Sequence, residues 1–130
     1  PYMRELLREI GAVLTEVPNR LTLEGHTDAA PFVGGGLGYG NWELSADRAN
    51  ASRRELMSGG LPEDRMLRVQ GLAASLPFDA KDPHSAANRR ISIIVMNREA
   101  EDRFFRTAPD VIEPVEAEAS IAPQIVAPRR

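Results

Sequence analysis

Leu21-Thr22-Leu23-Glu24-Gly25-His26-Thr27-Asp28, a glycine-rich stretch, and then Asn41-Trp42-Glu43-Leu44-Ser45-Ala46-Asp47-Arg48-Ala49 decide how this chain folds. Residues 21–25 alternate as a short strand. Residues 26–40 hold five of the ten glycines and cannot be regular structure. A loop that long on a small scaffold is often functional. Residues 41–58 then read as a helix. Asn41 suits its N-cap, Glu43 and Asp47 suit its first turns, and Gly59-Gly60 supplies the stop. The apolar side of this helix is small, with Ala46, Ala49 and Ala51 beside Leu44, Leu56 and Met57, so it can lie close against a sheet.

Ahead of the first strand, Met3, Leu6, Leu7, Ile10, Val13, Leu14 and Val17 form one apolar stripe. They predict an amphipathic helix over 2–17 that Pro18 ends. Beyond the second helix, Leu67, Val69 and Gly71 alternate with Arg68 and Gln70 as a second strand. Residues 72–87 form a loop with Pro77 and Pro83. Residues 91–96, Ile-Ser-Ile-Ile-Val-Met, are apolar at nearly every position and are expected to be a central strand covered on at least one face. Residues 98–106 read as a short terminal helix. From residue 107 onward, four prolines and alternating Glu and Ala, with no aromatic, predict a disordered tail over 107–130. The folded domain is thus expected over 1–106. Its order α-β-α-β-β predicts an α/β sandwich with helices on one face of a small mixed sheet. Three strands are few for such a domain, so a further strand is expected before Pro1.

Composition excludes several functions. The chain has 130 residues and no cysteine, so a disulfide framework, zinc ribbon or thiol nucleophile is ruled out. No apolar run approaches the roughly 20 residues that span a bilayer. The net charge of −3 is wrong for non-specific phosphate contact, and no nucleic-acid partner is expected. Residues 1–106 carry 14 basic and 15 acidic side chains, and 13 of the 14 are arginine. Arginine enrichment suits bidentate carboxylate recognition, and equally a GC-rich genome.

The motifs narrow the chemistry further. The glycines at 34–40 contain no G-x-G-x-x-G in register, and no Gly-Lys-Ser/Thr occurs, so a nucleotide loop is not supported. Two histidines and no H-E-x-x-H argue against a catalytic metal, and no cofactor is expected. No G-x-S-x-G surrounds a serine. Asp28 with Glu43 or Asp47 could form a hydrolytic carboxylate pair, although helix-start acids explain the latter two more simply. The informative set is Thr27 and Asp28 at the strand end with Asn41, Ser45 and Arg48. The last three share one helix face at i, i+4 and i+7. An acid and an arginine would then meet at one groove mouth, either as a structural pair or as a ligand clamp.

Leu23-Glu24-Gly25-His26-Thr27-Asp28, the 41–49 block, Val69-Gln70-Gly71 and Asn88-Arg89-Arg90-Ile91 occur in the order found in OmpA-like peptidoglycan-binding domains. Over residues 2–97 the chain resembles that family. The wording of 40–54 and of Gly71-Leu72-Ala73-Ala74 is most similar to flagellar stator proteins of the MotB type. The resemblance implies a βαβαββ-type sandwich whose first strand is absent from this sequence. It implies non-catalytic binding of peptidoglycan through the diaminopimelate end of the stem peptide. Asp28 and Arg48 match the positions that hold that ligand, and Thr27, Asn41, Leu44 and Arg89 or Arg90 match other pocket positions. It further implies a homodimer, a MotA-type channel partner, and a periplasmic domain of a single-pass inner-membrane protein. A general OmpA-like lipoprotein or porin anchor is the alternative, and a wall-active hydrolase a weaker one. Extra glycines in 28–41 relative to shorter members alter the groove rim.

Overall fold

A computed structural model describes residues 2–107, and the tail expected over 107–130 lies almost wholly outside them. The chain divides into two compact units, Pro1–Met96 and Asn97–Arg130. In the second unit the described element is helix α3, Arg98–Thr107, whose Ala100 N–H donates to the Asn97 side chain.

The first unit runs α1 (Tyr2–Leu14), β1 (Leu21–His26), α2 (Asn41–Ser58), β2 (Met66–Gly71) and β3 (Arg90–Val95), with short 3-10 turns at Glu63–Arg65 and Ala86–Asn88. It is the expected mixed α/β architecture. The sheet order is β2-β1-β3, with β1 parallel to β2 and antiparallel to β3.

The apolar stripe that predicts a helix to residue 17 outlasts the helix itself. After Leu14 the N–H groups of Thr15, Glu16 and Val17 bond three residues back, to Ala12, Val13 and Leu14. Pro18 disfavours helical geometry at the residue before it, so the last turn tightens. A second expectation fails in an instructive way. The most apolar strand, β3, is not central: among the described residues it is an outer strand, and Ile94 and Val95 are exposed. The central strand is β1, buried at five of six positions. A strand's own composition reports coverage of its faces and says little about its lateral neighbours.

The core lies between the helices and one sheet face. Leu7, Leu21, Leu23, Leu56 and Leu61 are buried there, with Ile10, Leu14, Val69, Ile91 and Ile93 packed around them. The inner face of α2 is Ser45, Ala49, Ser52 and Leu56. Ala46, assigned inward by its apolarity, is exposed. Small inner residues bring α2 very close to the sheet. A Cβ on Gly25 would stand 2.1 Å from the Ser45 carbonyl oxygen, and one on Gly71 would stand 2.3 Å from the Ala46 nitrogen. Only glycine permits that approach.

Candidate functional site

The sequence pattern brings the end of β1, the start of α2 and the segment before β3 to one end of the sheet. Two bonds fix the end of β1 to the turn after β2. The Leu72 N–H donates to the Gly25 carbonyl and the Thr27 N–H to the Ala73 carbonyl, each at 2.9 Å. Ala73 itself has φ of 51°, a left-handed conformation costly for a residue with a Cβ. Ser45, fully buried on α2, holds it there by accepting from the Ala73 N–H at 3.0 Å. Thr27 is buried, and its hydroxyl donates to the Asp28 carbonyl. It is thus a structural end-piece that delivers Asp28.

Asp28 emerges half-buried. Arg89 donates to one carboxylate oxygen at 2.7 Å, and the Ala30 N–H donates to the other at 3.1 Å. The Arg89 hydrogen bond holds the Asp28 carboxyl below the usual carboxylate range, and the Ala30 N–H adds to the effect. The expected acid–arginine pair therefore exists, but among the described residues its arginine is Arg89 and not Arg48. Arg48 lies on the exposed side of α2, where it lines an open groove of about 540 Å³ together with Arg89, Arg90 and the aliphatic side chains of Met3, Leu6, Leu7, Ile10, Ile91 and Ile93.

The remaining candidates divide by role. Asn41 is the first helical residue, and Gly40, in extended geometry, is the N-cap. The Asn41 amide donates to the Ala30 carbonyl at 3.0 Å, tying the helix start to the loop that carries Asp28. Leu44 is half-buried one turn on. Arg90 crosses over the Phe78 ring, 5.7 Å from its centroid, and donates to the Leu76 carbonyl at 3.2 Å. It braces the 72–78 loop as well as lining the groove.

The carboxylates that could have completed a hydrolytic pair are engaged elsewhere. Glu43 accepts from the Gly40 N–H at 2.8 Å, which lowers its pKa, the wrong direction for a general acid. Asp47 accepts from the Tyr39 hydroxyl. Among the described residues no three His, Cys, Asp or Glu side chains gather as a metal site, and no helix is long and apolar enough to cross a membrane. What is assembled is one recessed carboxylate beside exposed guanidinium groups at the rim of an apolar groove. Chemically, such a set is suited to pairing with an ammonium and a carboxylate.

Two contributors lie outside the candidate set. His26, at the end of β1, is buried, with Nε2 3.3 Å from a Glu24 oxygen and Nδ1 without a hydrogen-bond partner. Burial lowers its pKa, as does Arg90, its cross-strand partner, against the pull of Glu24. Asn88 is fully buried, bonded to the 79–83 loop. Both stand in the motif blocks quoted above, but nothing local distinguishes them from their neighbours there.

A family model described as the OmpA family matches residues 1–90. The chain is 51% identical over 131 residues to Motility protein B of Escherichia coli K12, covering 98% of this chain and 42% of that protein. It therefore spans about two fifths of that relative. Among solved structures, the periplasmic domain of Helicobacter pylori MotB aligns with a TM-score of 0.63 at 16% identity, covering 92% of this chain and 73% of the other. That likeness concerns the fold. The cell wall anchor of the T6SS from Pseudomonas aeruginosa aligns with a TM-score of 0.60 at 28% identity, covering 72% and 66%.

Proposed function

The chain belongs to the OmpA family, and from that premise we propose that its folded body grips peptidoglycan without cleaving it and so anchors a flagellar motor stator to the cell wall. The observation that carries this reading is the Asp28–Arg89 pair beside Arg48 at the groove rim. The 51% identity to a motility protein supports the stator assignment.

The ligand we infer is the diaminopimelate end of an uncrosslinked stem peptide. It carries an ammonium and a carboxylate on one carbon, and so needs a fixed anion beside fixed cations. Asp28 accepts from the ammonium. Arg48 donates two parallel bonds to the carboxylate, which a lysine would do less well. Asn41, Thr27 and Leu44 shape the wall of the site, and Arg89 and Arg90 complete its cationic side. Arg89 pairs with Asp28, so a ligand ammonium would share or displace that partner. Each charge-assisted bond contributes about 1.5–3 kcal/mol.

The wider assembly belongs to the same proposal. A homodimer would grip the wall at two points and hold by avidity, with a MotA-type channel partner and an inner-membrane helix supplied by sequence ahead of this periplasmic body. Sedimentation with purified sacculi tests the core of the reading. Asp28→Ala and Arg48→Ala should each bind about tenfold more weakly than wild type, equivalent to about 1.4 kcal/mol. Equal pelleting of all three would overturn the site, and release of soluble muropeptides would overturn binding without cleavage.

A further inference from the structure

Asp28 and Arg89 stand 61 residues apart in sequence, and the residue just before Arg89 is the fully buried Asn88. Its carboxamide is used at both ends. The Asp79 N–H donates to Oδ1 at 2.7 Å. Nδ2 lies 3.0 Å from the Asp82 carbonyl oxygen and 3.3 Å from those of Asp79 and Pro83, so two N–H groups serve three carbonyls. The Asp79 carboxylate tightens the same turn by accepting from the Lys81 and Asp82 N–H groups. The loop so gathered is the one that receives the Asp28 segment: the Ala29 N–H donates to the Pro83 carbonyl at 2.9 Å. On its other side, Asn88 is the last residue of the short turn that launches Arg89, closed by the Asn88 N–H on Ser85 and the Arg89 N–H on Ala86.

We propose that Asn88 is a positioning residue for the wall-binding site, holding Asp28 through Pro83 and Ala29 and holding Arg89 through the backbone it begins. The inference rests on the proposed wall-binding role for its effect on affinity, and on this geometry alone for its effect on Asp28. Three close substitutes each lose part of this arrangement. Aspartate keeps the acceptor but turns an oxygen toward three carbonyls. Alanine takes the acceptor from the Asp79 N–H and leaves the three carbonyls with only their backbone donors. Glutamine is longer by one methylene in a closed space.

The test compares Asn88→Ala and Asn88→Asp in the whole chain with Leu61→Ala, a core truncation remote from the loops that supplies matched destabilisation. NMR titration of the Asp28 carboxyl is the decisive readout. In both Asn88 variants it should move up toward the ordinary carboxylate value, while Leu61→Ala leaves it in place. Affinity for sacculi should fall about tenfold or more with Asn88→Ala, a loss of one charge-assisted contact, and hold in Leu61→Ala. An Asp28 titration unmoved in folded Asn88 variants overturns the proposal. If those variants do not fold, the wild-type Asn88 side-chain amide decides: two inequivalent, slowly exchanging protons are expected, and rapid exchange overturns the role. Should Asp28→Ala pellet like wild type, the wall-binding reading fails, and the titration still judges Asn88.

Discussion

The two sides of the first unit are built differently. Between α2 and the β1–β2 pair, backbones nearly touch: Gly25 and Gly71 face Ser45 and Ala46 with no room for a Cβ. Between α1 and the outer strand β3, large aliphatic side chains border an open groove. The difference teaches where precision comes from. Small residues let main chains lock at fixed distance, and the locked side carries the strand end that presents Asp28. Large aliphatics fill space only when partners meet them, and the open side leaves Arg48 and Arg89 exposed.

Substitutions should separate the two sides. Gly25→Ala gives the largest effect, because its Cβ meets helix backbone that cannot swing away. It should lower stability by about 3 kcal/mol or more in urea denaturation. A mild, fully cooperative shift would mean the seam is looser than its distances. Ser45→Ala strands the buried Ala73 N–H in its left-handed turn. A loss of about 1–3 kcal/mol is expected, together with faster amide exchange at Ala73. If Ala73 stays protected, Ser45 is not what holds the turn.

A smaller effect is set by pH. His26 is held below its ordinary value, so the unfolded chain binds a proton that the fold refuses. This contribution is fully present above about pH 6.5 and is lost as pH falls from there toward the lowered folded value. His26→Gln should flatten the stability profile in that window, and an unchanged slope would show that His26 does not set it. The smallest effect belongs to the open side. Leu6→Ala, at a half-exposed groove position, should cost about 1 kcal/mol or less. A loss as large as that of Gly25→Ala would erase the contrast.

Much of this was legible beforehand. The stripe in α1, the alternation in β1 and β2, and the glycine stop after α2 are local patterns, and each element formed within a few residues of its expected bounds. Thr27-Asp28 and Asn41 were recognisable as one end of the sheet. The Asp28–Arg89 pair was not legible as a pair, because Arg89 reaches that end only after β2, a loop and a short 3-10 turn have been laid down. Asn88 was less legible still: one buried amide among loop residues announces nothing until three carbonyls converge on it.

The sequence by itself determined the element order, the apolar faces, the glycines that allow close approach, and a residue supply suited to a zwitterionic ligand. These depend on periodicity and side-chain size, which are properties of neighbours in the chain. Only the tertiary structure decided which strand is central, which arginine meets Asp28, and that the N-cap is Gly40 while Asn41 ties a loop. Those choices turn on contacts between residues tens of positions apart, where packing and hydrogen-bond satisfaction select among partners that local pattern leaves equivalent.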